Sequence, residues 1–417
     1  MALPDPAFSL SIPSLHDDTT LTGRVYHPAA LYESYGQDGV EWAPRGAILA
    51  HPYAPLGGNQ DNPVVLMAAE ELLLQGFVVG TFNFRGAGTS RGHTSWTAKP
   101  EILDYMSFAG FFMHYLHLIG SSSASFQTRR HVSDATLSPI PSNTILPTEK
   151  MVISKHTTVL ILGGYSYGSM IATSLPPIKS IVARFADGQT GTTEAEITLR
   201  AARLAHQWGN EQRQKAMASW ARTRRPNGPG SHRSSPHMLF VMGGEESEPG
   251  SRRTSRDTRR SLDSIRKSFD FSRERRNYKR GDSSGSEGRG SQEDEAPRMM
   301  TPSPTTAFLL ISPLLPPIST LATFFTDPAR SFNQEPAAVQ SRLTTHATLA
   351  LYGTRDTFTS LKKLHKWSLE LSNTTGSRFS SAEVPGAGHF WSEEDVEERF
   401  RESVGQFAER LSSHCPN

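Results

Sequence analysis

The stretch Val159-Leu160-Ile161-Leu162-Gly163-Gly164-Tyr165-Ser166-Tyr167-Gly168 decides the fold. Its first four residues are consecutively apolar, the pattern of a strand buried on both faces. Gly164-Tyr165-Ser166-Tyr167-Gly168 then matches G-x-S-x-G, in which a sharp strand-to-helix turn projects a serine from the carboxyl edge of a sheet. Side chains at 164 and 168 would collide in such a turn, which is why glycine is needed there. Ser169 to Ser174 follows as a short helix, stopped by Pro176-Pro177. The pentapeptide alone is a weak signal in a chain rich in Gly and Ser; the strand before it and the helix after it give it weight.

On the amino-terminal side, Ala47 to Ala50 reads as a strand ending at His51-Pro52. A loop with Gly57-Gly58 leads to Asn62, which caps a helix whose first position is Pro63 and whose apolar residues Val65, Ala69 and Leu72 recur at helical spacing before Gly76. Phe77 to Phe84 predicts a second strand, followed by Arg85-Gly86-Ala87-Gly88 and a helix from about Glu101 to Ile119. On the carboxyl-terminal side, Phe308 to Ile311, Thr348 to Tyr352 and Phe379 to Val384 read as strands and Lys362 to Leu371 as a helix. A closing helix is predicted with Ser392 as cap, Asp395 as its capping-box partner, and Val396, Phe400, Val404, Phe407 and Leu411 as its apolar stripe. Apolar strands alternating with amphipathic helices predict an α/β architecture, a mostly parallel central sheet with helices on both faces.

The 417-residue chain carries a formal net charge of +2 and is only 36% apolar, below the usual ~45–50%. Part of it therefore forms no packed core. Two segments break the alternation: 120–150, rich in Ser, Thr and Pro, and 208–303, rich in Ser and Arg. Within the second, Ser251 to Arg280 holds twelve Arg and Lys against four acids and few aliphatic residues, too little to offset the entropy of ordering it. The expected organisation is a single core assembled from 1–119, 151–207 and 304–417, with 120–150 as a low-complexity loop insertion and 208–303 as a disordered insertion. A segment of about 316–343 is expected to cap the pocket.

One cysteine, Cys415, excludes an intramolecular disulfide and a cysteine-rich zinc site. Met1 to Leu15 has neither a basic start nor an apolar h-region. A cytoplasmic location follows as an expectation. The apolar run Ala307 to Phe325 approaches the length of a membrane span, but Pro313, Pro316 and Pro317 would break its helical bonding, so a buried strand and a loop are predicted there. No transmembrane segment is expected.

A serine hydroxyl needs a base to become a nucleophile at neutral pH, and the base needs an orienting acid. Asp356 follows the strand Thr348 to Tyr352, and His389 follows Phe379 to Val384 in Pro385-Gly386-Ala387-Gly388-His389. Serine, acid and histidine thus occur in the chain order this architecture uses, each after a strand. Ser166, Asp356 and His389 are the candidate catalytic residues. Candidate oxyanion donors are the amide of Tyr167 and one from the His51-Pro52-Tyr53-Ala54 loop, Tyr53 first and Ala54 next. His51 itself suits a loop-organising role better than that of a base. No metal or organic cofactor is called for.

His51-Pro52-Tyr53-Ala54-Pro55-Leu56-Gly57-Gly58-Asn59 with Asp61-Asn62, Phe82-Asn83-Phe84-Arg85-Gly86-Ala87-Gly88-Thr89-Ser90 and Gly164-Tyr165-Ser166-Tyr167-Gly168 resemble small serine hydrolases of the α/β-hydrolase superfamily, related to the dienelactone hydrolase and Xaa-Pro peptidase-like groups. The resemblance spans most of the chain outside the two insertions. It implies the α/β-hydrolase fold and maps nucleophile, acid and base to Ser166, Asp356 and His389. The chain departs from it in carrying Ala54 where short members carry proline, and in its insertions. The implied activity is hydrolysis of a small-molecule acyl ester or thioester through an acyl-enzyme. Two alternatives stay open: a catalytically inactive scaffold with a phospho-regulated loop, and an Xaa-Pro-type peptidase, although no acidic pair for an amino terminus and no propeller domain is recognisable.

Arg252-Arg253-Thr254-Ser255 and Arg259-Arg260-Ser261 place serines just after paired arginines, the pattern basophilic kinases select. Phosphorylation at Ser255 and Ser261 is the expectation, with a protein kinase or a phosphopeptide-binding adaptor as the partner at 251–280. The same charges would attract nucleic acid or anionic lipid without sequence specificity, and a solvated spacer is the alternative.

Overall fold

Each apolar run flanking the Ser166 motif forms a strand, and the chain order of these strands places the motif at the middle of a sheet. A computed structural model of the protein describes residues 3–36, 42–135, 158–223, 303–316 and 336–413. The amino-terminal elements are β1 (Phe8–Pro13), β2 (Thr20–Tyr26), α1 (Ala29–Gly36), β3 (Arg45–Ala50), a 3₁₀ turn (Ala54–Leu56), α2 (Pro63–Leu74), β4 (Val78–Phe82) and α3 (Lys99–Ala135). The middle of the chain supplies β5 (Val159–Tyr165), α4 (Tyr167–Thr173), α5 (Ile178–Ala186) and α6 (Thr193–Thr223). Then come β6 (Thr305–Ile311), α7 (Pro336–Thr345), β7 (Ala347–Arg355), α8 (Leu361–Ser372), β8 (Phe379–Gly388) and α9 (Val396–Ser413).

The sheet has eight strands in the order β1-β2-β4-β3-β5-β6-β7-β8. β1 and β2 pair antiparallel with each other, and β2 pairs antiparallel with β4; every other neighbouring pair is parallel. The chain runs from β3 outward to β4 and then returns to place β5 on the other side of β3. The strand order therefore reverses between β3 and β5, and such a switch point opens a crevice at the carboxyl ends of the strands. The Ser166 turn and the His51 loop flank it.

Alternation along the strands divides the core between the two faces. Ile48 and Ala50 of β3 join Leu160 and Leu162 of β5 against α3, where Phe108, Phe111 and Phe112 are buried. Ala47, Leu49 and Ile161 face the opposite way, against Val65, Ala69 and Leu72 of α2 and Phe400, Val404 and Phe407 of α9. Asn62 caps α2 as the sequence predicts: its side chain accepts the Val64 amide at 3.0 Å, with Pro63 in the first turn.

Several boundaries differ from the sequence expectation. The helix expected to stop at Ile119 continues to Ala135, into the segment read as a loop insertion at 120–150. No proline interrupts this part, Gly120 lets the helix approach Pro44 closely (an added Cβ would lie 2.6 Å from its Cγ), and buried Ser123 hydrogen-bonds Ser34 of α1 at 2.9 Å. The insertion placed at 208–303 also begins too early, because α6 runs to Thr223. Ile197, Ala201, Ala205 and Trp208 are buried along one face of α6, and the Trp208 ring lies 4.2 Å from His27 and 4.8 Å from Tyr32. The closing helix starts at Val396 rather than at a Ser392 cap, because Asp395 takes a left-handed conformation with φ of 66° and breaks the turn that a capping box requires. Of the expected cap segment 316–343, Pro336 onward is the helix α7, and 317–335 lies outside the described residues, as do Ser255, Ser261 and Cys415. Among the described residues no helix is long and apolar enough to cross a membrane.

One buried ionic group ties the loop after β4 to the rest of the fold. The Arg85 guanidinium donates to Asp104 Oδ1 at 2.7 Å and Oδ2 at 2.9 Å, to Ser14 Oγ at 3.0 Å and to Asp17 Oδ2 at 3.1 Å. The Arg85 side chain is 6% exposed and that of Asp104 0%. Burial alone would favour neutral Arg85, but the hydrogen bonds and charge of Asp104 outweigh it and raise its affinity for the proton. Removing one partner leaves the other charged and unpaired, which costs about 3–5 kcal/mol. We expect Arg85→Met to lower unfolding free energy by roughly that amount in urea titrations, and Arg85→Met/Asp104→Asn to recover part of it.

Candidate active site

The carboxyl ends of β5, β7 and β8 bring three separated stretches of chain to one place. Ser166 sits between β5 and α4 with φ of 56° and ψ of −114°, a strained conformation for a non-glycine residue. Its amide donates to the Ile311 carbonyl at 2.8 Å, which anchors the turn to β6. A Cβ on Gly164 would collide with the Gly168 backbone, and one on Gly168 with the Ala50 and His51 carbonyls. Both glycines of the motif are thus required by backbone approach.

Asp356 and His389 both reach this turn. The His389 Nδ1–H donates to Asp356 Oδ2 at 2.7 Å, and the Ser166 hydroxyl donates to His389 Nε2 at 2.8 Å. An ionised carboxylate only accepts, so it fixes the imidazole proton on Nδ1 and leaves the Nε2 lone pair for the serine. The side chains of His389 and Asp356 are 3% and 1% exposed, and Ser166 is 7% exposed. The other carboxylate oxygen, Asp356 Oδ1, accepts the amides of Phe358 at 2.8 Å and Thr359 at 2.9 Å. Both oxygens of this buried carboxylate therefore accept hydrogen bonds.

The imidazole is held from behind. Tyr165, the residue before the serine, donates its hydroxyl to the His389 carbonyl at 2.8 Å. At Gly353 the register of β7 on β8 shifts, and a Cβ there would strike the Ala387 carbonyl. The Gly386 amide donates to Thr354 Oγ1 at 2.9 Å. These contacts set the path of Pro385 to Gly388, which delivers His389. Trp391 follows with φ of 56° and donates its indole N–H to Ser312 Oγ at 2.9 Å.

The loop after β3 carries the two candidates, Tyr53 and Ala54, for the second expected donor. The Tyr53 ring lies 5.1 Å from the Tyr167 ring, which places this loop against the residue that follows Ser166. Among the described residues the amides of Tyr53, Ala54 and Tyr167 have no acceptor. His51 does not join the relay. The Phe84 amide donates to its Nε2 at 3.0 Å, which places the ring proton on Nδ1, 2.6 Å from the Pro52 carbonyl. His51 therefore links the loops after β3 and β4, as its position in the sequence suggested.

Sequence reasoning missed the supports: the Phe358 and Thr359 amides, the Tyr165 hydroxyl, and Arg85 with Asp104. The first of these had a signal, since an Asp two and three residues before free amides is an Asx-turn pattern. The others are long-range contacts with no local trace.

The strand order, the parallel crossovers and the position of the Ser166 turn make this an α/β-hydrolase fold. No protein-family model and no curated protein matches the sequence. Among solved structures, the chain is similar to an alpha-beta serine hydrolase homologue from Coxiella burnetii at 12% identity, covering 97% of this chain and 99% of that one with a TM-score of 0.39. It is similar to Est1E from Butyrivibrio proteoclasticus at 10% identity, over 98% and 100% of the two chains, TM-score 0.39. A third is the Pyrococcus furiosus esterase Pf2001, at 11% identity over 97% and 90%, TM-score 0.40.

Burial pulls the His51 imidazole down to about 4 and that of His27 down to about 3, so both fold in the neutral form. The ordinary value is 6.5, so between it and about 4 the unfolded chain holds a proton that folded His51 lacks. Stability is then intact above pH 6.5 and falls as the pH drops through this window. We expect urea titrations to show that His51→Asn, which cannot titrate, flattens the stability slope between pH 6 and 4.5 by at most about 1.4 kcal/mol per pH unit.

Proposed function

We propose that the protein is a serine hydrolase that cleaves an acyl ester or thioester through an acyl-enzyme, with Ser166 as nucleophile, His389 as base and Asp356 as the acid that orients it. The observation that carries this reading is the continuous relay from the Ser166 hydroxyl through the imidazole to the Asp356 carboxylate. Its hydrogen bonds are 2.8 and 2.7 Å long. A serine held in a strained turn at the head of a helix, with its proton already directed at a base, is arranged for attack on a carbonyl.

In the first half-reaction the Ser166 oxygen bonds to the carbonyl carbon as its proton passes to His389 Nε2. The carbonyl oxygen becomes an oxyanion, for which the donors are the Tyr167 amide and an amide of Tyr53 or Ala54, which have no acceptor among the described residues. The carbon–oxygen or carbon–sulfur bond to the leaving group then breaks, and His389 gives the proton to the departing atom. In the second half-reaction water attacks the acyl-enzyme, with His389 taking its proton and returning it to Ser166. Asp356 stays ionised throughout and stabilises the imidazolium that forms twice per cycle.

Purified full-length protein incubated with a fluorophosphonate probe is expected to take up one label that Ser166→Ala abolishes. Asp356→Asn is expected to slow hydrolysis of a p-nitrophenyl ester by about 10³–10⁴-fold, because the amide no longer fixes the tautomer. Wild-type protein that neither labels nor turns over such an ester would leave the chain a scaffold.

A further inference from the structure

The surroundings of His389 bear on the alcohol half of the substrate. Nε2 returns the proton to the departing oxygen, so that oxygen must come within hydrogen-bond reach of Nε2. Whatever group it carries extends along the imidazole. One flank of the ring is closed: Tyr165 lies 5.6 Å away, is 2% exposed, and spends its hydroxyl on the His389 carbonyl. Two phenyl rings also pack on the imidazole. Phe358 has its centroid 4.3 Å from it, and Phe390 lies 5.6 Å away with its plane turned by 87°. They meet each other edge to face, 5.9 Å apart at 82°.

Phe390 is 65% exposed although it adjoins an imidazole that is 3% exposed. A large apolar surface left open beside a buried reactive group is what a bound apolar group would cover. We propose that Phe358 and Phe390 form the leaving-group subsite and that the enzyme prefers esters of aromatic alcohols to esters of small alkyl alcohols. The inference rests on the acyl-transfer reading above. The bond to Ser166 forms first, and the ester bond from acyl carbon to alcohol oxygen breaks as the tetrahedral intermediate collapses. The serine proton, carried by Nε2, ends on the aromatic alcohol, which leaves past Phe390.

The test compares benzyl acetate with ethyl acetate on the full-length protein, two esters with the same acyl group and leaving alcohols of similar basicity. Wild-type kcat/KM is expected to favour the benzyl ester on the order of 10-fold. Phe390→Ala should reduce that preference by about 2- to 10-fold and Phe390→Tyr should keep it, since the ring face is what matters. Leu199→Ala, which removes another exposed apolar side chain, on α6, should leave the preference as in wild type. Equal kcat/KM for the two esters, or a preference that Phe390→Ala does not change, in protein whose Ser166 still takes up the fluorophosphonate would overturn the subsite. A Ser166 that takes up no label and an enzyme that cleaves neither ester would overturn the acyl-transfer reading and the subsite with it.

Discussion

The backbone conformation of Ser166 is the constraint on which the site depends. A φ of 56° at a residue with a side chain is unfavourable by about 1–3 kcal/mol, so it persists only where surrounding contacts impose it. Here they come from both sides. Gly164 and Gly168 allow α4 to approach β5 and β3 to within backbone contact, and the Ile311 carbonyl holds the Ser166 amide from β6. The turn is bound to three neighbouring strands, so the direction of the serine hydroxyl is a property of the sheet.

The loops around the turn are fixed by buried polar groups. His51, fully buried and neutral, joins the loop after β3 to the Phe84 amide at the start of the loop after β4. Arg85, one residue on, fastens that second loop to Asp104 of α3 and to the β1–β2 turn through Ser14 and Asp17. Burial also raises the Glu101 carboxyl, which accepts the Ser95 amide at 2.6 Å and its hydroxyl at 2.5 Å. These groups give two long loops a single arrangement, because leaving any of them unpaired in the interior costs more than ordering the loop. Rigid loops carrying the expected oxyanion donors are what pre-organised electrostatic stabilisation requires.

His389 and Asp356 arrive by a different device. β7 and β8 are neighbours at the edge of the sheet, and their register shifts where Gly353 passes close under Ala387. Past that point the strands still pair at Arg355 and Gly388, and the next residues, Asp356 and His389, join through the carboxylate–imidazole hydrogen bond. The Asx turn at Asp356 and the Tyr165 hydroxyl behind His389 fix both partners. Phe358 serves twice, with its amide on Asp356 and its ring on His389.

The sequence by itself determined the strand–turn–helix around Ser166, because four apolar residues and two glycines at fixed spacing leave few other local structures. It determined the capped start of α2 for the same reason, since Asn62 and Pro63 act within one turn. The serine–acid–histidine order and the position of each residue after a strand were also legible, as was the organising part of His51. Only the tertiary structure showed that α3 continues past Ile119 and α6 through Trp208, where Ser123 and Trp208 contact Ser34 and His27 from distant parts of the chain. The start of α9 was likewise decided by the left-handed Asp395, a backbone state that its capping pattern does not reveal. Whether a serine touches a histidine 223 residues further on, and that histidine an aspartate 33 residues before it, depends on strand register and on the crossover between β3 and β5. Local propensity acts over a few residues and does not encode these; the packing of the whole sheet does.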